Sequence, residues 1–230
     1  MKSKINILDY KNIHFIGVGG VSVSALAEYS LAHGIKVSGS DLCQNFRTDK
    51  LKDLGANIKI GHTAKHLSRA DAVVYTVATD ENNSELRYAK KKKLPVFTRA
   101  EFLGEIIDEY KNSVAVSGCH GKTTTTAMIA NVLICANKNP TVFLGGDSLP
   151  YGNFRLGKSD CVVAEACEYK KSFLNIKPKI AVVLNVGDDH LDTYGNVEGV
   201  IKAFNSFIGD SIAVVNADDE NAKRCLTHPP

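Results

Sequence analysis

The chain has 230 residues, of which 44% are hydrophobic and 23% are charged, and its formal net charge at pH 7 is +3. This length allows one large or two small domains, and the composition is that of a globular protein, not a disordered chain. So small a charge excess gives no reason to expect nucleic-acid binding, and the lysine run at residues 90–93 is interpreted as a solvated helix end.

No stretch approaches the ~18 consecutive apolar residues that a membrane span needs. Residues 1–5 are basic but lead into Asp9 without a signal-peptide core. Six cysteines are scattered without a Cys-x-x-Cys pair. This pattern favours reduced thiols over a disulfide framework or a zinc site. We therefore expect a cytoplasmic protein with neither a membrane nor a nucleic acid as partner.

Strand and helix patterns alternate along the chain. The first series has predicted strands at 12–17, 35–39, 57–60, 72–76 and 95–98, and predicted helices at 21–33, 48–54, 83–93 and 100–110. The second series has predicted strands at 113–117, 161–164, 180–185 and 212–215, and predicted helices at 121–136 and 197–207. Such alternation predicts parallel sheets covered by helices. Each series opens with a glycine-rich turn, so we predict two domains, residues 1–107 and 108–230.

The first glycine-rich turn joins the first predicted strand to the first predicted helix. It contains Gly17, Gly19 and Gly20, and Ser22 stands where a third glycine is usual. Glycines let the backbone approach a pyrophosphate that rests on the helix N-terminus. Asp41 follows the second strand, where an acidic residue can accept hydrogen bonds from a ribose or base. The pattern favours a nucleotide-diphosphate site over a merely tight turn, and it leaves NAD, FAD and a UDP-sugar open.

The second glycine-rich turn, between residues 117 and 122, is the strongest local signal. Its predicted phosphate-binding residues are Gly118, Cys119, His120, Gly121, Lys122, Thr123 and Thr124. Backbone N–H groups of such a loop surround a polyphosphate, Lys122 reaches the terminal phosphates and the Thr123 hydroxyl binds Mg²⁺. The spacing differs from the usual Gly-x-x-x-x-Gly-Lys-Ser/Thr loop. The alternative interpretation is a threonine-rich helix cap.

Two further candidates follow predicted strands of the second series. Glu165 ends the strand at 161–164, and His190 comes shortly after the strand at 180–185. Because the carboxyl ends of parallel strands line a ligand crevice, both side chains can converge on the phosphate loop and hold a second Mg²⁺. The alternatives are a surface carboxylate and a locally bonded histidine. Acidic residues that could support such a site are Glu168, Asp189 and Asp192.

Taken together, these residues resemble the Mur ligase family. The similar segments, in chain order, are residues 13–20, 38–41, 61–62, 83–86, 99–101, 118–125, 165–168, 172–174, 189–192 and 216–219. The resemblance implies a Rossmann-like parallel-sheet N-terminal domain that binds a UDP-sugar, followed by a truncated P-loop-type ATPase α/β domain. Departures from the family pattern are Ser22 for glycine, Cys119 for threonine and Gly187-Asp188 for Glu-Ala.

The resemblance also implies a reaction. ATP phosphorylates the carboxylate of UDP-N-acetylmuramate, and the amine of L-alanine attacks the acyl phosphate. Carried over by motif, Gly17, Gly19, Gly20, Ser22 and Asp41 bind the UDP-sugar. The loop from Gly118 to Thr124 binds ATP. Lys122, Glu165 and His190 are catalytic, and Thr123, Glu165 and His190 bind Mg²⁺.

Three alternatives to this reading remain open at the level of sequence. They are a recycling ligase that adds a peptide to the same sugar nucleotide, a non-catalytic UDP-sugar-binding module, and an NAD-dependent oxidoreductase. The last explains only the first glycine-rich turn. Family members have three domains of roughly 100–150 residues each. We therefore expect this chain to bind the UDP-sugar and to bind Mg-ATP weakly without ligating. We also expect an exposed sheet edge that favours self-association.

Overall fold

The computed structural model describes residues 6–226. Residues 1–5, which bear on the signal-peptide prediction, and residues 227–230 lie outside this range. Internal contacts divide the chain into two compact units between Glu105 and Ile106. The predicted domain boundary at residues 107 and 108 falls slightly later, within the helix that crosses this division.

The first unit is built on a five-stranded parallel sheet of order β3-β2-β1-β4-β5. Its strands are β1 Asn12–Ile16, β2 Lys36–Asp41, β3 Asn57–Ile60, β4 Ala72–Tyr75 and β5 Val96–Thr98. On the central strand, Ile13, Phe15 and Ile16 are fully buried. Apolar residues on both faces are what a sheet covered by helices on both sides requires.

Four helices belong to this series: α1 Val21–Ala32, α2 Phe46–Asp53, α3 Ser84–Lys91 and α4 Arg99–Asp108. Short 3-10 helices lie at Ile7–Asp9 and Ala64–Leu67. Helix α2 begins two positions before the predicted start, because Asn45 and Thr48 form a reciprocal capping box. Phe102 of α4 packs edge-on against Phe15, with ring centroids 5.8 Å apart.

The second unit contains a six-stranded sheet of order β11-β10-β6-β9-β7-β8. Its strands are β6 Asn112–Ser117, β7 Thr141–Ser148, β8 Gly152–Arg155, β9 Cys161–Glu165, β10 Ile180–Val183 and β11 Ile212–Val215. The antiparallel hairpin of β7 and β8 was not predicted. Gly145, Gly146 and Asp147 interrupt its apolar pattern, and such residues are depleted in strands. The other strand pairs are parallel, and the predicted α/β class is confirmed.

The remaining helices are α5 Lys122–Cys135, α6 Leu191–Tyr194, α7 Val197–Ile208 and α8 Glu220–Arg224, with a 3-10 segment at Tyr169–Asn175. Phe173 anchors that segment against α7, with ring centroids 5.0 Å from Phe204 and 5.1 Å from Phe207. Helices α6 and α8 were not predicted, since segments of one turn carry no apolar period. Between residues 6 and 226, no helix is both long and apolar enough to cross a membrane.

Candidate active site

A cavity of about 820 Å³ opens at the carboxyl ends of β1 and β4 in the first unit. The strand order reverses between these two neighbours, and loops that leave in opposite directions there create a crevice. The residues lining it are Gly17, Gly19, Gly20, Asp41, Leu42, Asn45, His62, Thr76, Ala78, Thr79, Asp80, Asn82, Asn83 and Ser84.

The glycine turn after β1 is held by the end of β2. Gly17 has a φ of +76°, and its N–H donates to the Ser40 carbonyl at 2.8 Å. The Gly19 N–H donates to Asp41 Oδ2 at 2.8 Å, and Asn45 Nδ2 donates to the Gly19 carbonyl at 3.2 Å. Residues of β2 and the loop after it therefore hold the turn in place. Asp41 both lines the cavity and accepts a hydrogen bond from the turn.

Of the residues predicted for this site, Gly17, Gly19, Gly20 and Asp41 line the cavity. Ser22 lies in the first turn of α1 and is not among the lining residues. Sequence reasoning missed His62 and the loop after β4. That loop follows a strand that lies next to β1, and this position would identify it as part of the site. The strand order that shows this is not readable from the sequence.

The second predicted loop joins β6 to α5 in the second unit. Gly118 and Gly121 have φ values of +141° and +82°, so both occupy backbone conformations that favour glycine. Asn185, just beyond β10, clamps the loop from the neighbouring strand. Its Oδ1 accepts from the His120 N–H at 2.8 Å, its Nδ2 donates to the His120 carbonyl at 3.1 Å, and its carbonyl accepts from the Cys119 N–H at 3.2 Å.

The Lys122 ammonium lies over this loop. Its Nζ donates to the Gly118 carbonyl at 2.7 Å, to the Cys119 carbonyl at 3.2 Å and to Glu168 Oε1 at 3.0 Å. Glu168 is 4% exposed, and its Oε2 has no hydrogen-bond partner among the described residues. A buried carboxylate of this kind is tolerated when a cation is paired with it, and Lys122 is that cation.

Glu165 lies at the end of β9 and contacts Thr123, which follows Lys122 on α5. Its Oε2 accepts from the Thr123 hydroxyl at 2.7 Å and from the Gly145 N–H at 2.8 Å. A Cβ on Gly145 would lie 2.5 Å from the Glu165 carboxylate, so glycine is needed at that point of β7. The structure therefore places Glu165 against the phosphate loop, as the strand-end argument predicts.

His190 approaches the loop from the other side, at the start of α6. Its Nε2 lies 3.7 Å from Glu168 Oε1, and its ring centroid is 5.0 Å from that of Tyr169. The Tyr194 hydroxyl donates to the Glu168 carbonyl, which ties α6 to the same segment. His190 thus reaches Lys122 through Glu168.

The donor set at Thr123 and Glu165 suits a hard divalent cation. A hydroxyl and a carboxylate are oxygen ligands of the type Mg²⁺ prefers, and that ion keeps several waters or phosphate oxygens besides its protein ligands. In the part of the chain that the structure describes, no group of three or more His, Cys, Asp and Glu side chains could hold a metal by itself. Two protein oxygens leave the other ligand positions of such an ion to water or phosphate oxygens.

Cys119, which departs from the family pattern, has a definite contact. Its Sγ accepts a hydrogen bond from the Gly187 N–H at 3.1 Å. Burial is the main cause that raises the pKa of this thiol, and nearby Asp189 raises it further. The side chain at this position therefore links the loop to the segment after β10.

The two glycine turns, each at the end of a central parallel strand, define a protein with two α/β units of the type that binds nucleotides. Residues 12–111 match the catalytic domain of the Mur ligase family, and residues 116–229 match the Mur ligase middle domain. The chain belongs to the Mur ligase family.

Among curated relatives, the chain is 46% identical over 223 residues to UDP-N-acetylmuramate–L-alanine ligase of Clostridium acetobutylicum, covering 95% of this chain and 49% of the relative. It is 46% identical to the enzyme of the same name from Clostridium botulinum strain Kyoto, covering 94% of this chain and 48% of that protein. The chain spans about half the length of the curated relatives it matches.

Solved structures agree with this placement. UDP-N-acetylmuramate-alanine ligase MurC from Thermotoga maritima superposes with a TM-score of 0.86 at 36% identity, covering 93% of this chain and 51% of that one. The UDP-N-acetylmuramate:L-alanyl-gamma-D-glutamyl-meso-diaminopimelate ligase from Neisseria meningitides superposes with a TM-score of 0.87 at 26% identity, covering 94% of this chain and 74% of that one.

Proposed function

We propose that this chain forms the UDP-sugar-binding and ATP-binding units of a cytoplasmic ligase that joins L-alanine to UDP-N-acetylmuramate. The observation that carries the proposal is the 46% identity to relatives with that named activity over almost the whole chain. Beside one loop the structure places the Lys122 ammonium, which can offset phosphate charge, and the Thr123 hydroxyl paired with Glu165, which are oxygen ligands of the type Mg²⁺ prefers. All six cysteines are free, which is in keeping with a reducing compartment.

The first unit would bind the UDP-sugar in the cavity at the ends of β1 and β4. The backbone of Gly17, Gly19 and Gly20 allows close approach of a diphosphate to the N-terminus of α1, where peptide dipoles favour negative charge. Asp41 would accept hydrogen bonds from ribose or base hydroxyl and N–H groups. Ser22 would contribute only as part of the N-terminal turn of α1, since it is not among the residues that line the cavity.

The second unit would bind ATP on the loop from Gly118 to Thr124. Backbone N–H groups and the Lys122 ammonium offset the charge of the phosphates. Thr123 and Glu165 would hold Mg²⁺, whereas the Nε2 of His190, the third predicted ligand, lies 3.7 Å from Glu168 Oε1 instead. When bound, the ion would offset the negative charge of the phosphates.

The proposed reaction is the one that the family resemblance implies, and the charge arrangement is compatible with it. A carboxylate oxygen of the muramyl group attacks the γ-phosphorus, the bond from that phosphorus to the β,γ-bridging oxygen breaks, and ADP leaves. The amine of L-alanine then attacks the acyl carbon, loses a proton, and inorganic phosphate departs with the C–O electron pair. Lys122 stabilises negative charge on the transferred phosphoryl group by close contact. His190 and Glu168 position that lysine.

Calorimetric titration of the chain with UDP-N-acetylmuramate, with NAD as the competing dinucleotide, tests the proposal for the first unit. We expect binding of the sugar nucleotide, no comparable binding of NAD, and loss of binding in Gly19→Val. A Cβ at Gly19 would lie 2.6 Å from Asn45 Nδ2 and 3.0 Å from Asp41 Oδ2, so that variant closes the turn. Preferential NAD binding by folded protein would overturn the proposal.

A second candidate is a ligase that adds a preformed peptide to the same sugar nucleotide. The observation that favours it is the TM-score of 0.87 to a structure with that named activity. Phosphate release by the whole protein, measured with L-alanine and with the tripeptide as competing acceptors, discriminates the two. We expect release to depend on L-alanine; release that depends on the tripeptide alone would favour the second candidate.

A further inference from the structure

A fully buried carboxylate surrounded by three imidazoles lies beside the UDP-sugar cavity. Glu85, on α3, is 0% exposed. Its Oε2 accepts from the Ser40 hydroxyl at 2.5 Å and lies 2.8 Å from His62 Nδ1. Its Oε1 lies 2.8 Å from His66 Nδ1 and 3.4 Å from His14 Nε2, the latter without hydrogen-bond geometry. Four separate segments of the chain supply this cluster.

The cluster carries a negative charge that needs a positive partner. Burial raises the pKa of Glu85, but the neighbouring His14 ring, the Ser40 hydroxyl and His62 outweigh it and lower the pKa to about 2. Removing an ionised carboxylate from water is expensive unless a cation is paired with it. Among the described contacts of Glu85, only imidazoles can supply that cation.

His62 connects this charge to the cavity. The side chain is 18% exposed and lines the cavity, and its Nδ1 edge is turned toward Glu85. The opposite edge, with Nε2, is then the edge available to a ligand. His66 has the same 18% exposure and contacts the same carboxylate, but it lines a different cavity, at the amino end of the sheet.

The UDP-sugar cavity lacks other positive side chains. Its described lining residues include no lysine or arginine, while Asp41 and Asp80 add negative charge. A nucleotide diphosphate bound there brings two more negative charges. The amides at the N-terminus of α1 offset part of this charge, and His62 is the one described lining side chain that can carry a full positive charge.

We propose that Glu85 is a positioning residue of the nucleotide site, which holds His62 as an imidazolium whose Nε2–H donates to the diphosphate of the bound sugar nucleotide. The inference rests on the proposed function of the first unit. Among the charged or titratable groups, Glu85 from α3 contacts His62, Asp41 and Asp80 line the same cavity, and His14 and His66 share the Glu85 carboxylate. Ser40, from β2, donates to Glu85 and fixes the oxygen that contacts His62.

Calorimetric titration with UDP-N-acetylmuramate between about pH 5.5 and 8.5, the range in which imidazoles lose their proton, tests the inference. The diphosphate diester keeps its charge across this range, whereas UDP itself has a terminal phosphate that titrates near pH 6. We expect the affinity of the wild-type chain to fall as the pH rises. His62→Gln should bind roughly tenfold more weakly at the acidic end and lose the pH dependence.

Glu85→Gln should weaken binding and move the pH dependence to lower pH, because an amide does not stabilise the imidazolium. His66→Gln is the matched control, since it contacts the same carboxylate from outside this cavity, and it should retain both affinity and slope. Histidine ¹⁵N chemical shifts, followed through the titration, should show His62 protonated in the bound wild-type chain.

Binding of the sugar nucleotide that is independent of pH, or a slope unchanged in His62→Gln, would overturn the inference and leave the proposed function intact. A neutral His62 in the bound chain by ¹⁵N shift would overturn it as well. Failure of the folded wild-type chain to bind the sugar nucleotide at any pH would overturn both. If Glu85→Gln fails to fold, His62→Gln and the ¹⁵N shifts still decide the question.

Discussion

Two consecutive residues at the start of α5 contact two different carboxylates. The Lys122 ammonium pairs with Glu168, while the Thr123 hydroxyl donates to Glu165. The first contact balances charge next to the loop, and the second aligns two oxygen ligands of the type Mg²⁺ prefers. Single substitutions should therefore separate phosphate binding from metal binding.

Thr123→Ala should weaken Mg²⁺-dependent ATP binding roughly tenfold, because it removes one oxygen ligand and leaves the loop amides and Lys122 in place. Titration with ATP in the presence of Mg²⁺ and of EDTA measures the effect. Thr125→Ala, two positions along the same helix, is the control and should match the wild type. Equal losses with and without Mg²⁺ would contradict a metal role.

Cysteine reactivity should follow burial, because the thiolate is the nucleophile. Burial raises the pKa of Cys119 and Cys161, and it raises the pKa of Cys225 to about 12. At about pH 8, these three should therefore be alkylated more slowly than the exposed Cys43 and Cys135. Cys225 should remain slow as the pH is raised further.

Peptide mapping after timed iodoacetamide treatment measures each rate, with the chain in urea as the control in which all six rates converge. ATP should slow Cys119 further, because that residue lies in the predicted phosphate loop. If Cys225 is alkylated as fast as Cys43 in the folded chain, the Cys225 side chain is not buried and the prediction fails.

At the scale of elements, each glycine turn is held by the end of a neighbouring strand. Asp41, the last residue of β2, holds the turn after β1, and Asn185, just beyond β10, holds the turn after β6. Parallel register makes this possible, since the carboxyl ends of adjacent strands meet at one edge of the sheet. The conformation of each predicted phosphate loop is therefore fixed by the neighbouring strand as well as by its own glycines.

Asn185→Ala should loosen the loop before α5, because the His120 N–H and carbonyl each lose a hydrogen bond. We expect a loss of about 1–3 kcal/mol in the free energy of unfolding, together with weaker ATP binding. Chemical denaturation and ATP titration measure the two effects. Asn175→Ala, which removes a hydrogen bond to the Ser172 carbonyl instead, should lower stability alone. Unchanged ATP affinity in Asn185→Ala would show that the Asn185 hydrogen bonds are not needed to hold the loop for ATP binding.

The edge strand β11 should promote self-association. Ile212 and Val214 are 68% and 50% exposed on it, and an exposed apolar edge is a template for pairing with another chain. Replacing both by lysine should lower the apparent molecular mass at high concentration in sedimentation experiments. Leu149→Lys, at a fully exposed position in the turn between β7 and β8, is the control. A mass unaffected by the edge substitutions would exclude β11 as the contact.

At the scale of the whole molecule, each unit has its own core. Phe15 and Phe102 pack together in the first, and Phe173 packs against α7 in the second. The proposed ligands also differ between the units. Stabilisation by a ligand should therefore act on one unit at a time.

Differential scanning calorimetry of the whole chain tests this independence. At a concentration 100 times its Kd, each ligand should stabilise its own unit by about 2.7 kcal/mol, or roughly 10 °C in Tm. UDP-N-acetylmuramate should move one part of the transition and Mg-ATP the other, and Gly19→Val should abolish only the first shift. A single transition moved equally by either ligand would show that the units unfold together.

The amino-acid sequence alone determined the alternation of strands and helices, the two glycine turns and the acids at strand ends. These features are local or periodic, so neighbouring residues suffice to predict them. Such local prediction is less accurate at the ends of elements: the start of helix α2 was predicted two residues late because it depends on the Asn45 cap. The β7–β8 hairpin was not predicted at all. Its Gly145 has a low strand propensity, and the close approach of Glu165 is what requires glycine there.

Only the tertiary structure decided which carboxylate pairs with Lys122, that Asn185 clamps the loop, and that Glu85 contacts histidines from β1 and from the segment after β3. These residues are distant in sequence, and nothing in their spacing predicts that they meet. Strand order and register bring them together, because parallel neighbours place their carboxyl ends at one edge of the sheet. Burial then decides their chemistry, since a carboxylate removed from water must be paired with a cation.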